Sequence, residues 1–204
     1  NIKPKYALKH PTWKMGKKIS IDSATLMNKI FEVIEAKKIF NLDISKFKII
    51  IHPKSYIHSI VHFKNGLVKF LAHDTNMSVP IMNSLYINGD INNYKDGNLK
   101  FEKLNGLNFI KPNIKKFPVI KLLNKVPNKQ SYFETILISI NDILVDKYLR
   151  GDINYHSLNA NLIKLIKIPY FTRYYKIKPK NVIDIKNMVK IVVTYLNKIK
   201  LNEN

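Results

Sequence analysis

The sequence predicts an α/β (α+β) domain followed by an all-α helical bundle. Three observations predict it: an amphipathic helical pattern near the start, strand-like runs around Asn65-Gly66, and four amphipathic segments after residue 112. We place the first domain at 1–86, a linker at 87–112 and the bundle at 113–204. Apolar residues make up 46% of the 204 positions, enough to bury a core.

The first helix is predicted to begin at Asp22 or Ser23, both good N-cap residues, and to run to about Phe40. Its apolar residues recur at helical spacing: Met27, Ile30, Phe31 and Ile34. The preceding residues 10–18 contain a proline and a glycine and are predicted as a loop, and 19–21 as a short extended segment.

A β region is predicted next. The apolar run 47–52 comes first, and the runs 57–64 and 67–72 flank Asn65-Gly66, a hairpin signal in which both turn positions need positive φ. Residues 87–112 are largely polar and rich in turn formers, which favours a linker.

The bundle is predicted from four segments with one apolar face each. Gly151 stands where the second of them should end, and Pro169 where the third should end. The four segments are 119–126, 133–148, 156–168 and 182–196.

Composition excludes several classes of site and partner. The chain has no cysteine, which excludes disulfides, thiolate nucleophiles and zinc sites built on thiolates. The net charge is +21, but only Arg150 and Arg173 are arginines, and the lysines are spread along the chain. We therefore expect no nucleic-acid partner. The positive charge would instead attract a small anionic substrate. No apolar run is long enough for a membrane span, so no membrane partner is expected.

The side chains that could bind a ligand or take part in a reaction lie on the first predicted helix and just before it. Asn28, Lys29 and Glu32 fall within roughly 100° of one another on the polar face. A helix N-terminus nearby favours a phosphate, and a carboxylate can hold a hard divalent cation. Trp13 and Met15, beside a glycine, would suit a lid. The alternatives are a solvated Lys–Glu pair and a packed tryptophan.

The amino-acid sequence of this stretch resembles that of a known family. His10–Ser20, followed by Asp22–Lys29 and Glu32, resembles the lid and active-site helix of 1-deoxy-xylulose 5-phosphate reductoisomerases. Ile51–Val61 is similar to that family's strand segment. Two looser similarities are Met77–Ile81 and, weakest, Asn141–Ile143.

The resemblance implies an NADPH-dependent enzyme with a Mg²⁺ or Mn²⁺ ion. It would convert 1-deoxy-D-xylulose 5-phosphate to 2-C-methyl-D-erythritol 4-phosphate, so 1–86 would be the catalytic portion. No G-x-G-x-x-G fingerprint occurs in the sequence. The N-terminal Rossmann NADPH-binding domain is therefore expected to be absent from this chain, together with two metal carboxylates that the family carries earlier.

The resemblance also assigns roles to single residues. Lys29 and Glu32 would be catalytic and contact the substrate, with Lys29 on its hydroxyl groups and Glu32 as a metal ligand. His10, Ser23 and Asn28 would bind the phosphate end of the substrate. Trp13 and Met15 would form a lid that covers the substrate. Gly16 and Met15 would contact the cofactor, and Met77 would line the substrate pocket.

The implied partners are a phosphorylated sugar, the missing N-terminal portion and a second copy in a homodimer. The composition resembles versions from malaria-type (apicomplexan) parasites, which predicts a plastid location (the apicoplast); a bacterial cytoplasm is the alternative. Two rival functions remain at this point: a basic nucleic-acid-binding protein and a non-catalytic interaction module. Four histidines could alternatively ligate zinc, although their spacing favours ordinary strand or surface histidines: His52, His58, His62 and His73.

Overall fold

The computed structural model describes residues 2–9, 15–86 and 101–199. The chain forms two compact units, one made of 1–49 with 113–204 and the other of 50–112. This division differs from the predicted one, because the first 49 residues pack with the helical end. The last part of the predicted linker belongs to the second unit.

The first unit starts with three helices: α1 (Pro4–Ala7), α2 (Lys17–Thr25) and α3 (Met27–Phe40). The single helix predicted from Asp22 or Ser23 is therefore wrong at its start. Residues 19–21 are helical rather than extended, and Gly16 is the N-cap of α2. Leu26 separates α2 from α3 with a left-handed backbone, φ 63°.

The second unit contains an antiparallel hairpin of β1 (Ile57–His62) and β2 (Val68–Ala72). The predicted strands are confirmed, but the turn differs from the prediction. Gly66 has φ 88°, whereas Asn65 is not among the residues with positive φ and instead accepts a hydrogen bond from Leu67 N through Oδ1. The loop is thus the longer type in which one left-handed glycine closes the turn.

The rest of the second unit is short elements. Where 47–52 was predicted to be extended, the structure has a single antiparallel bridge, between Ile51 and Ile110. Two helices follow the hairpin, α4 (Ser78–Leu85) and α5 (Phe101–Leu104).

The first unit resumes with a 3-10 helix at Pro118–Lys125 and four further helices. These are α6 (Phe133–Arg150), α7 (Tyr155–Leu165), α8 (Pro169–Thr172) and α9 (Val182–Lys198). The predicted cap is confirmed, because Gly151 ends α6 with φ 88°. In the predicted segment 156–168, α7 ends at Leu165. Pro169 is the first residue of α8.

The core of the first unit joins both halves of the sequence. Its buried apolar residues come from α2, α3, the 3-10 helix and α6 to α9. The helix that carries Asn28, Lys29 and Glu32 therefore shares one core with the C-terminal helices. Representative members are Met27, Ile30, Leu122, Ile136, Leu144, Leu162 and Val192. Within the described ranges, no helix is long and apolar enough to cross a membrane.

Candidate functional site

Three of the predicted site residues form one hydrogen-bonded cluster at the start of α3. Asn28 Nδ2 donates to Glu32 Oε1 at 2.6 Å, and Lys29 Nζ donates to Glu32 Oε2 at 2.7 Å. The local cause is helical spacing, which places positions three and four residues apart on one face. The opposite face of α3 is held in the core by Met27 and Ile30.

The cluster is open to solvent rather than part of the packing. The side chains of Lys29 and Glu32 are 44% and 46% exposed. An ion pair this exposed contributes about 0–1 kcal/mol to stability, so the fold does not depend on it. Both carboxylate oxygens are oriented by neighbours and reachable from outside, which suits exchange of one contact for a bound cation or hydroxyl group.

Ser23 lies in the last turn of α2, just before the junction with α3. It is half-buried, and its carbonyl accepts a hydrogen bond from Leu26 N at 3.1 Å. The junction thus carries Ser23 on one side and Asn28 and Lys29 on the other. These polar groups belong to one unit and are only a few residues apart along the chain.

The junction is held by contacts that the sequence did not predict. Asp22 is buried and accepts hydrogen bonds from Asn141 Nδ2 at 2.7 Å and from Lys18 Nζ at 2.7 Å. Tyr155 OH donates to Ala24 O at 2.7 Å. The available signal was Asn141, an amide standing among the apolar residues of the predicted bundle helix, where a buried polar group requires a partner.

The charges around Asp22 form a small network. Lys18 Nζ also contacts Asp142 Oδ1, at 3.0 Å. Burial alone would lower the pKa of Lys18, but its bonds to the two aspartates outweigh burial and raise that pKa. For Asp142, burial wins over the attraction of Lys18 and raises the carboxyl pKa. We take Lys18 as the firmly charged member of the network.

The other predicted residues are distributed as follows. Gly16 caps α2, is exposed, and has open space where a Cβ would stand, and Met15 beside it is half-buried. Met77 is 55% exposed and belongs to the second unit. His10 and Trp13 lie outside the described residues, so their roles stay predictions.

Glu32 is the candidate metal ligand among the described residues. Within the described ranges, no three or more His, Cys, Asp or Glu residues come together in a metal-binding group. Glu32 fits a hard cation as one oxygen ligand, since Mg²⁺ often takes one or two carboxylates and completes its shell with water and substrate oxygens. The described residues therefore supply one candidate ligand and not a complete site.

The four histidines of the second unit do not form a zinc cluster among the described residues. The rings of His58 and His73 stack at 3.7 Å, and His58 Nε2 lies 3.0 Å from the carbonyl oxygen of His73. His52 Nδ1 lies 3.0 Å from the carbonyl oxygen of Asn108. These contacts are of the kind that structural histidines make, and the roles of the four histidines stay predictions.

Two family models match this chain. The model described as 1-deoxy-D-xylulose 5-phosphate reductoisomerase C-terminal domain matches residues 1–40. The model described as DXP reductoisomerase C-terminal domain matches residues 73–193. Between them they cover the chemical cluster and most of the helical end.

Curated relatives carry the same name. A 1-deoxy-D-xylulose 5-phosphate reductoisomerase of Pelagibacter ubique is 52% identical over 188 residues, which is 92% of this chain and 48% of the relative. One from Clostridium botulinum is 36% identical over 97% of this chain and 50% of its own length.

Solved structures agree with the fold. The Zymomonas mobilis reductoisomerase in complex with NADPH aligns at TM-score 0.81 and 28% identity, over 98% of this chain and 50% of that one. A DOX-P reductoisomerase in complex with NADPH, fosmidomycin and magnesium aligns at TM-score 0.85 and 28% identity, over 96% and 49%. The chain spans about half the length of the curated relatives it matches. By these matches the chain belongs to the 1-deoxy-D-xylulose 5-phosphate reductoisomerase family, as a C-terminal portion.

Proposed function

We propose that this chain is part of an NADPH- and divalent-metal-dependent enzyme that converts 1-deoxy-D-xylulose 5-phosphate to 2-C-methyl-D-erythritol 4-phosphate. The observation that carries the proposal is the cluster of Asn28, Lys29 and Glu32, in a chain of this family. An amide, an ammonium and a carboxylate at the start of a helix are the groups that a phosphorylated, hydroxyl-rich substrate and a hard cation require.

The proposed roles of the residues are those that the family resemblance implies. Ser23 and Asn28 flank the helix junction and would hold the substrate phosphate, together with His10. Lys29 would donate to substrate hydroxyl groups once its contact with Glu32 is exchanged. A phosphate held at a distance from the reacting carbons supplies binding energy that fixes their orientation.

Glu32 would be this chain's contribution to the metal. When bound, the cation polarises carbonyl and hydroxyl oxygens, and NADPH supplies the hydride. Asn28 then keeps the carboxylate oriented through its bond to Oε1. Met15 and Trp13 would cover the substrate and exclude water, Gly16 would lie against the cofactor, and Met77 would line the pocket.

The experiment is a steady-state assay of the full-length protein with 1-deoxy-D-xylulose 5-phosphate, following NADPH oxidation. We expect turnover that requires Mg²⁺ or Mn²⁺ and stops with a chelator. Product identification separates true rearrangement and reduction from unproductive NADPH oxidation. Absence of turnover with metal and cofactor present would reject the proposal.

We also propose a homodimer joined through the β1–β2 hairpin. Ile60 and Phe70 pair across the strands and are both exposed, as are Val61, Val68 and Leu71. Exposed apolar strands of this kind mark an interaction surface. A second copy is the occupant we favour, because both outer strand edges are unpaired in the described part of the unit.

The oligomeric state of the full-length protein tests this. Sedimentation should give a dimer, and Phe70→Lys should weaken it. Ile183→Lys, which places the same charge at an exposed apolar position on α9, should leave the dimer intact. A monomeric wild type, or equal effects of both variants, would contradict the proposal and favour a covering segment of the longer protein.

The plastid location remains a prediction. The 52% identical relative comes from the bacterium Pelagibacter ubique, which favours the alternative of a bacterial cytoplasm. The parasite origin suggested by composition is likewise an expectation. The gene's neighbouring sequence decides between the two: a plastid-targeting leader upstream supports the first, and a bacterial operon supports the second.

A further inference from the structure

The junction between α2 and α3 is an unusual piece of backbone. Leu26 adopts the left-handed region at φ 63°, which residues with a side chain rarely occupy. Such a conformation persists only where the surroundings determine it. The residues around the junction therefore fix the relative position of the end of α2 and the start of α3.

Part of the support is local. The hydroxyl of Thr25 donates to Ile21 O at 3.1 Å and Asp22 O at 3.2 Å, and it accepts from Met27 N at 3.3 Å. One hydroxyl thus ties the last turn of α2 to the first residue of α3. Thr25 is buried, so these bonds are shielded from water.

The remaining support comes from the C-terminal helices. Asn141 on α6 is 0% exposed and donates from Nδ2 to Oδ1 of Asp22, which is 2% exposed. The other carboxylate oxygen accepts from Lys18. Tyr155 on α7 holds the carbonyl of Ala24. Two separate helices therefore hold the residues on either side of Ser23: α6 binds the side chain of Asp22, and α7 binds the backbone carbonyl of Ala24.

Asn141 is a costly choice for this position if its role is only packing. Its Oδ1 is buried and has no hydrogen-bond partner among the described residues. A buried, unpaired acceptor is unfavourable, and an apolar residue of similar volume would avoid it. What the asparagine provides is a fixed donor for the carboxylate that directly precedes Ser23.

We infer that Asn141 is a positioning residue for the phosphate end of the substrate site. It acts through Asp22, whose orientation sets the backbone at Ser23 and, across the junction, the start of α3 with Asn28. This inference rests on the proposed function. Asn141 does not itself touch the substrate; it fixes the groups that do.

The test uses the full-length protein and the variant Asn141→Leu. Removing the donor should raise KM for 1-deoxy-D-xylulose 5-phosphate by about tenfold or more, and kcat should fall as well because the same phosphate contacts orient the reacting carbons. The inhibition constant of inorganic phosphate, as a competitor for the same subsite, should rise in parallel. The affinity for NADPH should stay unchanged, because the junction supports the substrate phosphate and not the cofactor.

Ser139→Ala is the matched control. Ser139 is also buried on α6, but its hydroxyl bonds within that helix, to Thr135 O at 2.8 Å. We expect a similar or smaller change in melting temperature and no change in KM. If both variants lose stability and neither changes KM or phosphate inhibition, Asn141 is structural and the inference is wrong.

A swap separates positioning from folding. Asn141→Asp alone would place two carboxylates in contact, and their repulsion should raise KM. Asp22→Asn combined with Asn141→Asp would restore the hydrogen bond with donor and acceptor exchanged. Recovery of KM in the swap supports the inference, and a folded swap with raised KM contradicts it. If Asn141→Leu does not fold, the swap decides alone. An inactive wild type would reject the proposed function, whereas an active wild type with an unaltered Asn141→Leu variant would reject only this inference.

Discussion

Asn28 and Glu32, one helical turn apart on α3, are joined by a 2.6 Å hydrogen bond from the amide nitrogen to one carboxylate oxygen. Lys29 holds the other oxygen. The carboxylate is therefore oriented before any ligand arrives, although it stays exposed. An oriented and exposed carboxylate is what the proposed role of Glu32 as a metal ligand requires.

Glu32→Gln in the full-length protein tests this directly. We expect weaker Mg²⁺ or Mn²⁺ binding and a kcat lower by several orders of magnitude, because a neutral amide is a poor ligand for a hard cation. The melting temperature should change little, since the exposed pair adds only about 0–1 kcal/mol. Metal titration and steady-state kinetics are the measurements.

Glu35→Gln is the control for that variant. Glu35 is another exposed carboxylate on α3, three residues further on. Its replacement should leave metal binding and kcat unchanged. Near-normal turnover of Glu32→Gln at ordinary metal concentration would remove Glu32 from the site.

The isolated chain of residues 1–204 should show no reductoisomerase activity. Among the described residues it contributes one candidate metal carboxylate, and its sequence has no G-x-G-x-x-G fingerprint for a dinucleotide. The assay is NADPH oxidation with substrate and metal, with the full-length protein as positive control. Measurable turnover by the isolated chain would show that its own residues complete the site.

Trp13→Ala in the full-length protein should lower kcat/KM while leaving the melting temperature nearly unchanged. A lid residue covers the substrate and excludes water but contributes little to the core. Kinetics and thermal melting of the same preparation give both readouts. A large loss of stability with normal kinetics would show that Trp13 is a packing residue.

Alkaline pH should weaken the anchor between Tyr148 and the start of the chain. Tyr148 OH donates to Ile2 O at 2.8 Å, and burial raises the pKa of Tyr148 from 10.0 to about 12. The folded state thus favours the neutral phenol. Its contribution is complete below the unfolded pKa of 10.0 and is lost as the pH rises from there through about 12.

The measurement is the free energy of unfolding of wild type minus that of Tyr148→Phe across this pH range. Below about pH 9 the variant should be less stable by about 0.5–1.5 kcal/mol, the usual value of one hydrogen bond. Above pH 10 the difference should shrink. Tyr6→Phe, at an exposed tyrosine, controls for general effects of alkali. A difference that stays constant to pH 12 would contradict the assignment.

Periodicity and resemblance predicted much of this molecule. Helical spacing located α3, α6 and α9 and put Asn28, Lys29 and Glu32 on one face. The start of the first helix was predicted wrongly, because Asp22 looks like an N-cap in the local sequence. Its carboxylate is in fact taken by Asn141, 119 residues away, and no local pattern contains that contact.

The same limit explains the turn and the unit boundaries. Asn65 bonds to Leu67 N through its side chain and so does not need the left-handed backbone expected of it. Residues 1–49 join 113–204 in one unit because apolar helix faces that are distant in the sequence pack against each other. An amphipathic pattern shows that one face of a helix packs against another element, but it does not identify that element.

The discontinuous make-up of the first unit has a consequence for biosynthesis. α3 leaves the ribosome long before the 3-10 helix and α6, which supply its packing partners in the shared core. At about 5–20 residues per second, roughly 5–20 s pass before these partners emerge. During that interval the apolar side of the nascent α3 has no permanent cover, so this stretch is where a chaperone would be expected to engage the growing chain.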